Sequence, residues 1–455
     1  MCLLTENNNS SNAKTPVELG ARDLQQTLFT RVSKMAKPQQ NSWKKLKTIM
    51  NGLINPAWDS AFRYGFEVLG PTLFGFCRWL YERSKEIGIE HLFFLSRDGY
   101  LLLNAYKELY PASEIPISYL YISRKVAREA QVWLNPNASE ISALFPENTY
   151  LECGEFCQYF SIDEGEADAA WKACDLTKHT RFLPRDILRD ERLASFYRRI
   201  KPLMIEKSRQ AYGKMIQYLH QNQFGGKVGL VDIGWKGTIQ NCLQVIIQSD
   251  PEVKCEMVGL YLGLSGGASK SGNKMSFIAP DEEPQEFDAG FVEYPFLAPE
   301  GSLVGYDVAL DGSIKPILAE YEYDREDHDV IRNMQEGALQ FIKSTKEFSS
   351  EDFPWDAPFS YANLKRVSKH PTLYEAKLFG NLTHYDGGKR RIAAPRSIAH
   401  YLLHPKDFPY DLSVSGWRIG FLRRLLKIEL DYNQLLKIYK NKKLICKDKE
   451  GQSQC

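Results

Sequence analysis

Short apolar runs of β-forming residues, each followed by a polar loop and a helical pattern, constrain this chain more than any other feature. The run Ile89–Ser96 is apolar on both faces, which is typical of a strand buried in a parallel sheet. Similar runs span residues 117–123, 226–232 and 257–264. Because strands alternate with helices, the sequence predicts an α/β fold with an open, mostly parallel, Rossmann-like sheet.

The length of the chain and the positions of these runs predict its domain organisation. A chain of 455 residues is longer than one hydrophobic core normally holds, so we expect several domains or one domain with large insertions. The strand patterns fall in two stretches, and the residues between and after them show helical spacing. The predicted organisation is a disordered or basic N-terminal segment at 1–54, an α/β core formed by 55–135 and 224–310, a helical insertion at 136–223, and a helical C-terminal region at 311–455.

Charge is balanced over the whole chain but uneven along it. With 58 Lys and Arg against 57 Asp and Glu, the net charge of +1 gives no long-range field, so the sequence predicts no nucleic-acid partner. Residues 31–47 contain six basic residues and no acid, and the segment 418–443 is also basic. These ends predict peripheral contact with an anionic membrane surface, and an ordinary solvated helix face is the alternative.

Cysteine spacing and hydropathy indicate the compartment. The nine cysteines are scattered, and the nearest pair, Cys153 and Cys157, has no nearby histidine to complete a zinc site. Reduced thiols in a reducing compartment are therefore expected. The N-terminal residues show no secretory-signal pattern, and no apolar run is long enough to span a bilayer. The sequence predicts a cytoplasmic protein, with any membrane contact at the inner face of the cytoplasmic membrane.

Two strand-loop-helix junctions carry residues suited to phosphate binding. A loop that enters a helix at the carboxyl end of a parallel strand directs backbone N–H groups and the positive end of the helix dipole at an anion. The first junction supplies a cation, a carboxylate suited to Mg²⁺ and a glycine that admits a phosphate. The second supplies an acid, two glycines, a lysine and a hydroxyl. The predicted phosphate-binding residues are Ser96, Arg97, Asp98, Gly99 and Tyr100 at the first junction, and Asp232, Gly234, Trp235, Lys236, Gly237 and Thr238 at the second.

Neither junction matches the two commonest nucleotide-binding patterns. A Walker loop needs G-x4-G-K-[ST], and the dinucleotide fingerprint needs G-x-G-x-x-G. Nucleoside triphosphate hydrolysis and nicotinamide redox chemistry are therefore disfavoured. A structural strand-to-helix turn is the alternative for either loop alone, whereas two such loops in one sheet favour a ligand with two phosphate groups. Phosphoribosyl pyrophosphate is one such ligand.

The two junctions resemble the ligand-binding loops of the type I phosphoribosyltransferases. Ser96-Arg97-Asp98-Gly99-Tyr100 resembles the pyrophosphate loop of that family, and Gly229 to Thr238 resembles its ribose-5-phosphate loop. A longer resemblance begins near Asn55. The segments FLSRDGYLL, YLYISRKVAREA, VGLVDIGWKGTIQ and EYPFLAPEGSLVGY are similar to a polysaccharide-specific phosphoribosyltransferase domain of bacterial glycan biosynthesis loci, often fused behind a haloacid-dehalogenase-type phosphatase.

This resemblance implies a phosphoribosyltransferase-type core, a reaction and its partners. Such a domain moves 5-phosphoribosyl from phosphoribosyl pyrophosphate to a lipid-linked glycan in O-antigen or capsule biosynthesis, and a phosphatase then removes the 5-phosphate. The chain has no D-x-D-x-[TV] phosphatase signature, so we expect the phosphatase to be a separate protein. The C-terminal region would then face the acceptor or the membrane.

The chemistry of this donor assigns roles to the candidate residues. Departure of pyrophosphate leaves an oxocarbenium-like ribose, so the leaving group needs charge neutralisation and the acceptor hydroxyl needs a base. Arg97 and Mg²⁺ would neutralise the leaving group, and a carboxylate would deprotonate the acceptor during inversion to a β-ribofuranoside. The candidate catalytic residues are Asp98, Asp232 and Glu293, of which Asp98 and Asp232 would hold Mg²⁺ and Glu293 would be the base; further substrate-binding candidates are Arg124, Lys125 and Ser302.

Two other functions are compatible with the same residues. In a phosphatase of the haloacid dehalogenase type, Asp98 would be the nucleophile, although Tyr100 occupies the place of the second acid. In a non-catalytic adaptor of a glycan-assembly complex, both loops would be structural turns. If these residues have only structural roles, Glu293 would form a salt bridge, Trp235 would lie in the core and Arg124 would lie on a solvated basic face.

Overall fold

The computed structural model describes residues 26–30, 37–145, 150–265, 268, 273–278, 289–385 and 389–436. Its β-strands, numbered in chain order, are β1 (His91–Leu95), β2 (Ile117–Leu120), β3 (Leu151–Glu152), β4 (Arg181–Phe182), β5 (Gly226–Trp235), β6 (Cys255–Leu264), β7 (Lys274–Ile278), β8 (Leu303–Val308), β9 (Ile314–Leu318), β10 (Thr383–Tyr385) and β11 (Lys389–Arg391). Its α-helices, numbered in the same way, are α1 (Lys37–Leu53), α2 (Ser60–Tyr64), α3 (Gly70–Ile87), α4 (Gly99–Leu109), α5 (Arg124–Gln131), α6 (Ala138–Ala143), α7 (Cys153–Tyr159), α8 (Glu164–Lys172), α9 (Glu191–Gln221), α10 (Thr238–Gln248), α11 (Ala289–Glu293), α12 (Arg325–Thr345), α13 (Ala357–Ser360), α14 (Ala362–Lys369), α15 (Leu373–Phe379), α16 (Ile398–Leu403), α17 (Asp407–Val414) and α18 (Arg418–Leu426). Short π- or 3₁₀-helical turns are Gly65–Leu69, Val132–Leu134, Pro184–Leu188 and Tyr294–Phe296.

Five strands form one parallel sheet in the order β2-β1-β5-β6-β7. Strand β1 pairs with β2 on one side and with β5 on the other, so that Leu92 lies opposite both Ile117 and Gly229. The chain extends the sheet in one direction through α4 to β2 and in the other direction through α10 to β6. This parallel sheet confirms the predicted α/β fold class. The strand order also places a topological switch point between β1 and β5, where open α/β sheets bind ligands.

Burial of both sheet faces explains why apolar runs predict these strands. Phe93 and Phe94 point to opposite faces of β1, and both are fully buried. On one face, Phe93 and Leu230 share a core with the helices α5, α9 and α10. On the other face, the ring of Phe94 lies 5.8 Å from that of Tyr106 in α4. Burial of each such side chain contributes about 1.5–3 kcal/mol to the free energy of unfolding.

Two strands differ from the sequence prediction. The pattern predicts a break at Ile233, but β5 continues to Trp235, which lies opposite Leu264 of β6. Gly234 permits this because it has a φ of 116° and because a Cβ at this position would lie 1.8 Å from the carbonyl oxygen of Gly263. The predicted sheet ends at β6, whereas β7 adds a fifth strand at the edge. Only two of the five residues of β7 are buried, so its apolar signal is weak.

The residues between β2 and β5 form mainly helices, with one short antiparallel pair of strands, β3 and β4. Helices α6 to α9 enclose a separate apolar core that includes Phe156, Trp171 and Phe196. Helix α9 is 31 residues long, and its first half contributes to this core. Its last turns contribute Met215 and Tyr218 to the core of the parallel sheet.

The described residues divide into two compact units with boundaries that differ from the predicted ones. The helical unit contains the described residues up to Gly75, residues 289–291 and those from Arg325 onward, and the α/β unit contains the rest. Residues 55–75 therefore group with the C-terminal helices rather than with the α/β core. The β8–β9 hairpin crosses the predicted boundary at 310 and belongs to the α/β unit.

Ordered structure also begins before the predicted start near residue 55. Helix α1 occupies the expected basic segment, and it buries Trp43, Leu46 and Met50. These apolar positions recur at helical spacing, so one face of α1 packs, while Lys44 and Lys45 are exposed. Residues 1–25 and 31–36 of the predicted N-terminal segment lie outside the described residues.

A helix that crosses a bilayer needs about 20 consecutive, mostly apolar residues. None of the helices in the described residues is both long enough and apolar enough to cross a membrane.

Candidate active site

The carboxyl ends of β1 and β5 bring together the three predicted catalytic acids. Asp98 follows β1 directly before α4, Asp232 lies near the end of β5, and Glu293 is the last residue of α11. All three are half-buried, and the charges of Asp232 and Glu293 both act on Asp98. We call Asp98, Asp232 and Glu293 the acid cluster. The sequence places its members up to 195 positions apart, and the sheet topology unites them at the switch point.

Burial and mutual repulsion change the protonation of this cluster. Burial raises the pKa of Asp98 well above its ordinary value, and the carboxylates of Asp232 and Glu293 raise it further against the opposing charges of Arg97 and Arg124. Burial also raises the pKa of Asp232 to about 7, although the N–H group of Ile233 donates to its Oδ1 at 2.8 Å. Asp232 therefore exchanges its proton near neutral pH, as acid–base catalysis requires.

Arg124 lies beside the acid cluster, as predicted for a residue that reaches a bound anion. Ser123 caps α5 by accepting from the N–H of Val126 at 3.2 Å, which fixes Arg124 at the first position of the helix. The charge of Arg124 acts on both Asp98 and Asp232, yet the residue is exposed. Among the described residues, no side chain or carbonyl forms a hydrogen bond or ion pair with its guanidinium. It is thus a cation available to a ligand.

Arg97 differs from Arg124 because a protein carboxylate holds it. Its Nη1 donates to both carboxylate oxygens of Glu322, at 2.8 and 2.7 Å, and to Ser302 Oγ at 2.9 Å. The predicted contact of Arg97 and Ser302 with substrate would have to replace or share these bonds. Sequence analysis missed Glu322, although the acidic and aromatic run from Glu320 to Asp324 is a signal that could have drawn attention to it.

The predicted phosphate-binding loops precede two helices whose first turns have no side-chain cap among the described residues. These helices, α4 and α10, each have 11 residues and begin at Gly99 and Thr238. Their N-terminal N–H groups and dipoles suit an anion. Gly99 itself has a packing role, because a Cβ there would lie 2.9 Å from the carbonyl carbon of Phe94. The peptide bonds Ser96–Arg97 and Gly234–Trp235 are cis.

Trp235 contacts the acid cluster directly. Its indole N–H donates to Oε1 of Glu293 at 2.7 Å. This bond orients the carboxylate, and Oε2 of Glu293 accepts no hydrogen bond from the described residues. The predicted contact of Trp235 with a ligand stays a prediction. The indole has in addition a positioning role that sequence analysis did not identify.

The remaining predicted residues have different surroundings. Ser96 Oγ donates to the carbonyl of Ile122 at 2.9 Å and accepts from its N–H at 3.0 Å, so this hydroxyl joins the ends of two strands. Lys125 lies 3.6 Å from a carboxylate oxygen of Glu129 and donates to a backbone carbonyl. Lys236 is exposed, Thr238 and Tyr100 are half-buried, and Gly237 precedes α10 in a left-handed conformation.

An aromatic group next to Asp98 also escaped sequence analysis. Tyr119 and Tyr121 donate to the two carboxylate oxygens of Glu300, both at 3.0 Å. Burial raises the pKa of Tyr119, and Asp98 is among the charges that raise it further, so this group adjoins the acid cluster. The ring of Tyr100 lies edge-on to Tyr119 at 6.4 Å. The alternating tyrosines of YLYIS are the signal that was available.

Two carboxyl groups with raised pKa values suit a divalent cation, because a cation between them removes their repulsion. Among the described residues, no group of three or more His, Cys, Asp or Glu side chains is placed to hold a metal ion. Mg²⁺ commonly takes one or two carboxylates together with water and substrate phosphates. Asp98 and Asp232 therefore fit a metal that binds with a phosphorylated ligand.

Comparison with known proteins adds no independent assignment to this geometry. No protein-family model matches the chain, and no curated protein matches it. The acid cluster, Arg124 and the two helix N-termini are therefore the observations on which a functional proposal depends.

Proposed function

We propose that this protein is a glycosyltransferase of bacterial O-antigen or capsule biosynthesis. It moves 5-phosphoribosyl from phosphoribosyl pyrophosphate to a hydroxyl of a lipid-linked glycan at the inner face of the cytoplasmic membrane. The observation that carries this proposal is the meeting of the acid cluster, the exposed Arg124 and two uncapped helix N-termini at one switch point. The motif resemblance supplies the identity of the donor.

The two phosphate-bearing ends of the donor match the two helix N-termini. The N-terminus of α4 would receive pyrophosphate and that of α10 the 5-phosphate, in keeping with the loops that each resembles. Arg124 adds a positive charge that no protein group among the described residues neutralises by direct contact. Asp98 and Asp232 would hold Mg²⁺, which supplies charge neutralisation on the leaving pyrophosphate.

In the transfer, the bond from the anomeric carbon to the pyrophosphate oxygen breaks and a bond to the acceptor oxygen forms. The electron pair of the broken bond leaves with pyrophosphate, and attack from the opposite face gives a β-ribofuranoside 5-phosphate. The acceptor proton moves to a carboxylate. Glu293 suits this role because Trp235 holds its Oε1, whereas no described residue donates to Oε2.

The phosphatase alternative has less support. Its nucleophile would be Asp98, and burial beside Asp232 and Glu293 raises the pKa of that carboxyl, which disfavours the carboxylate form that acts as a nucleophile. Tyr100 also occupies the position where that chemistry needs a second acid. The adaptor alternative makes a different prediction, namely that no donor binds.

The decisive experiment incubates the full chain with phosphoribosyl pyrophosphate, Mg²⁺ and synthetic glycan acceptors. Mass spectrometry should detect an acceptor that has gained one phosphoribosyl group, and pyrophosphate should be released in equal amount. Binding of donor with Mg²⁺ should also raise the melting temperature by mass action. Release of inorganic phosphate from a ribofuranoside 5-phosphate would instead support the phosphatase. If the protein showed neither activity nor thermal stabilisation, the adaptor would be the better account.

A further inference from the structure

Residues 26–30 form a short segment of the helical unit that belongs to none of its helices or strands. We call it the Phe29 segment, because Phe29 is completely buried. Among the described residues, its backbone hydrogen bonds all end on side chains and none joins it to another backbone group. About two-thirds of the hydrogen bonds in a folded protein join backbone to backbone, so this segment is held in an unusual way.

Glu67 accepts from two successive N–H groups of the Phe29 segment. The N–H of Leu28 donates to its Oε1 at 3.1 Å, and the N–H of Phe29 donates to its Oε2 at 2.8 Å. Glu67 is fully buried in the π-helical turn Gly65–Leu69, and such turns frequently occur at functional sites. Its carboxylate therefore binds the backbone of the segment, whatever the side chain at position 28.

Cationic side chains bind the carbonyl groups of the same segment. Three carbonyls accept from them, namely that of Gln26 from Arg63, that of Phe29 from Arg366 and that of Thr30 from Lys47. The two arginines also form buried ion pairs, Arg63 with Glu67 and Arg366 with Glu375. Replacement of a buried ion pair by apolar residues is often neutral or stabilising, so stability alone does not explain these pairs. Their polar groups match the backbone of the segment instead.

The side chain of Phe29 fills an aromatic pocket. Its ring lies edge-on to Tyr64 at 5.6 Å, and it lies 5.9 Å from Phe379 and 6.4 Å from Tyr374. An aromatic side chain in a desolvated pocket is a common anchor of a protein interface. Peptide-recognition domains likewise combine hydrogen bonds to the main chain with pockets for individual side chains.

We propose that the helical unit contains a peptide-binding site and that the Phe29 segment is its ligand within this chain. The site takes a short peptide that presents two neighbouring N–H groups to Glu67 and a phenylalanine to the pocket of Tyr64 and Phe379. While the Phe29 segment occupies the site, a protein with a similar segment can bind only after the Phe29 segment has left. This inference goes beyond the proposed transfer reaction and does not depend on it.

The alternative is that the Phe29 segment is a permanent part of the core. A binding site should take the same residues when they are not joined to the chain, whereas a core could not. A tethered ligand is present at an effective concentration on the order of mM, so a free peptide competes weakly with it. The Phe29 segment must therefore be released before binding of a free peptide is measured.

Fluorescence anisotropy of a labelled, end-blocked peptide with the sequence of residues 26–30 tests the proposal on the full chain. In Phe29→Asp, the new carboxylate disfavours burial of the chain's own segment, and every residue of the site is unchanged. This variant should bind the peptide at least about tenfold more tightly than the unchanged protein, whose site is occupied. Leu28→Pro releases the segment in a second way, because proline lacks the N–H that donates to Glu67.

Two altered peptides test the contacts that the structure shows. A peptide with Phe29→Ala lacks the anchor, and a peptide N-methylated at Phe29 lacks one N–H donor to Glu67. Each should bind the Phe29→Asp variant at least about tenfold more weakly than the unaltered peptide does. Leu402→Asp is the matched control, since it adds the same charge to the helical unit at an exposed leucine. It should bind the peptide as weakly as the unchanged protein.

The proposal is wrong if Phe29→Asp and Leu28→Pro keep their helical circular dichroism but do not bind the peptide. It is also wrong if the N-methylated peptide binds as tightly as the unaltered one. If both variants lose their helical structure, the added peptide should restore it. Failure to restore it would make the Phe29 segment a permanent part of the core and would equally refute the proposal.

Discussion

Two buried acids of the helical unit, Glu67 and Glu375, each pair with an arginine, whereas the acid cluster of the α/β unit groups three half-buried carboxyl groups with one another. Arg63 Nε lies 3.2 Å from Glu67, and Arg366 holds both carboxylate oxygens of Glu375. Backbone N–H groups complete both sites, including that of Phe29, which donates to Glu67 at 2.8 Å. The acid cluster has no such partner for each carboxyl group; Asp232 and Glu293 raise the pKa of Asp98, and Glu293 raises the pKa of Asp232.

Acids that are paired with arginines maintain the fold, whereas the acids of the acid cluster are suited to catalysis. A buried ion pair whose members are fully hydrogen-bonded can change little in protonation without disrupting the structure. The carboxyl groups of the acid cluster are not each neutralised by an arginine, so they are suited to exchange a proton or to bind a cation. The two units should therefore respond in opposite ways to removal of a charge.

The largest effect is expected for Asp232→Asn, which neutralises one member of the acid cluster without changing its shape. We expect transfer from phosphoribosyl pyrophosphate to fall by about 10²- to 10⁴-fold, the usual contribution of one acid–base group. The free energy of unfolding should stay the same or rise, because repulsion within the cluster decreases. Mass spectrometry of the acceptor and urea denaturation give the two readouts.

The control for this variant is Asp250→Asn. Asp250 is a partly buried aspartate of the same unit that lies 3.8 Å from His220, and it is not part of the acid cluster. It should retain full transfer activity. If Asp232→Asn transferred phosphoribose at the normal rate, the acid cluster would not be the catalytic centre.

The helical unit should show the reverse pattern in Arg366→Leu. This change leaves Glu375 buried without its cation, which should lower the free energy of unfolding by about 3–5 kcal/mol. Urea denaturation measures the loss. Arg332→Leu in the same unit is the control, because Arg332 is exposed and its pair with Asp329 should contribute at most about 1 kcal/mol. Equal losses in the two variants would contradict the distinction between the units.

The pH dependence of stability sharpens the same contrast. Burial raises the pKa of Asp232 to about 7, whereas an aspartate in an unfolded chain has a pKa of about 3.9. The folded state therefore binds this proton more tightly, so the contribution of Asp232 to stability is greatest below about pH 4 and falls as the pH rises toward 7. Urea denaturation across this range should show Asp232→Asn gaining stability over the unchanged protein as the pH increases. Parallel pH profiles for the two proteins would contradict the raised pKa.

The smallest effect is expected for Glu322→Gln, which alters the ion pair that borders the acid cluster. Gln keeps the shape of Glu322 but removes the charge that holds Arg97, so the affinity for inorganic pyrophosphate should rise several-fold. The free energy of unfolding should fall by no more than about 1 kcal/mol. Calorimetric titration with pyrophosphate measures the affinity. Glu256→Gln, which breaks an exposed pair with Lys227 at the start of β5, should leave it unchanged. Unchanged or weaker binding by Glu322→Gln would mean that Arg97 is purely structural.

The sequence predicted those parts of the site that follow from local pattern and sheet topology. Apolar runs marked β1 and β5, and parallel strands necessarily end at the same edge, so Asp98 and Asp232 had to lie close together. Arg124 was also predictable, because it follows β2 and therefore starts its helix at the same edge. These conclusions need only the period of the pattern and the direction of the strands.

Long-range pairing was beyond the sequence. The bond between Arg97 and Glu322 joins residues 225 positions apart, and nothing in either segment specifies the other. The sequence pattern placed the end of the strand before Gly234, because glycine is unfavourable inside a strand. In the structure β5 continues through Gly234, which lies beside Gly263 of β6. The placement of residues 55–75 with the C-terminal helices depends on which helix faces meet, and the spacing of apolar residues along one helix does not contain that information.

Because helix α9 also packs on the parallel sheet, the residues between β2 and β5 cannot be removed as a separate domain. A shortened chain without residues 136–223 would lose Met215, Tyr218 and Leu219 from the core of the parallel sheet. It would also lose the hydroxyl of Tyr218, which accepts from the N–H of Tyr121 at 3.0 Å. The hydroxyl of Tyr121 in turn donates to Glu300. Deletion or domain exchange must therefore cut within α9 and keep its last turns with the sheet. This 31-residue helix, which contains Pro202, connects the inserted helices to the edge of the site.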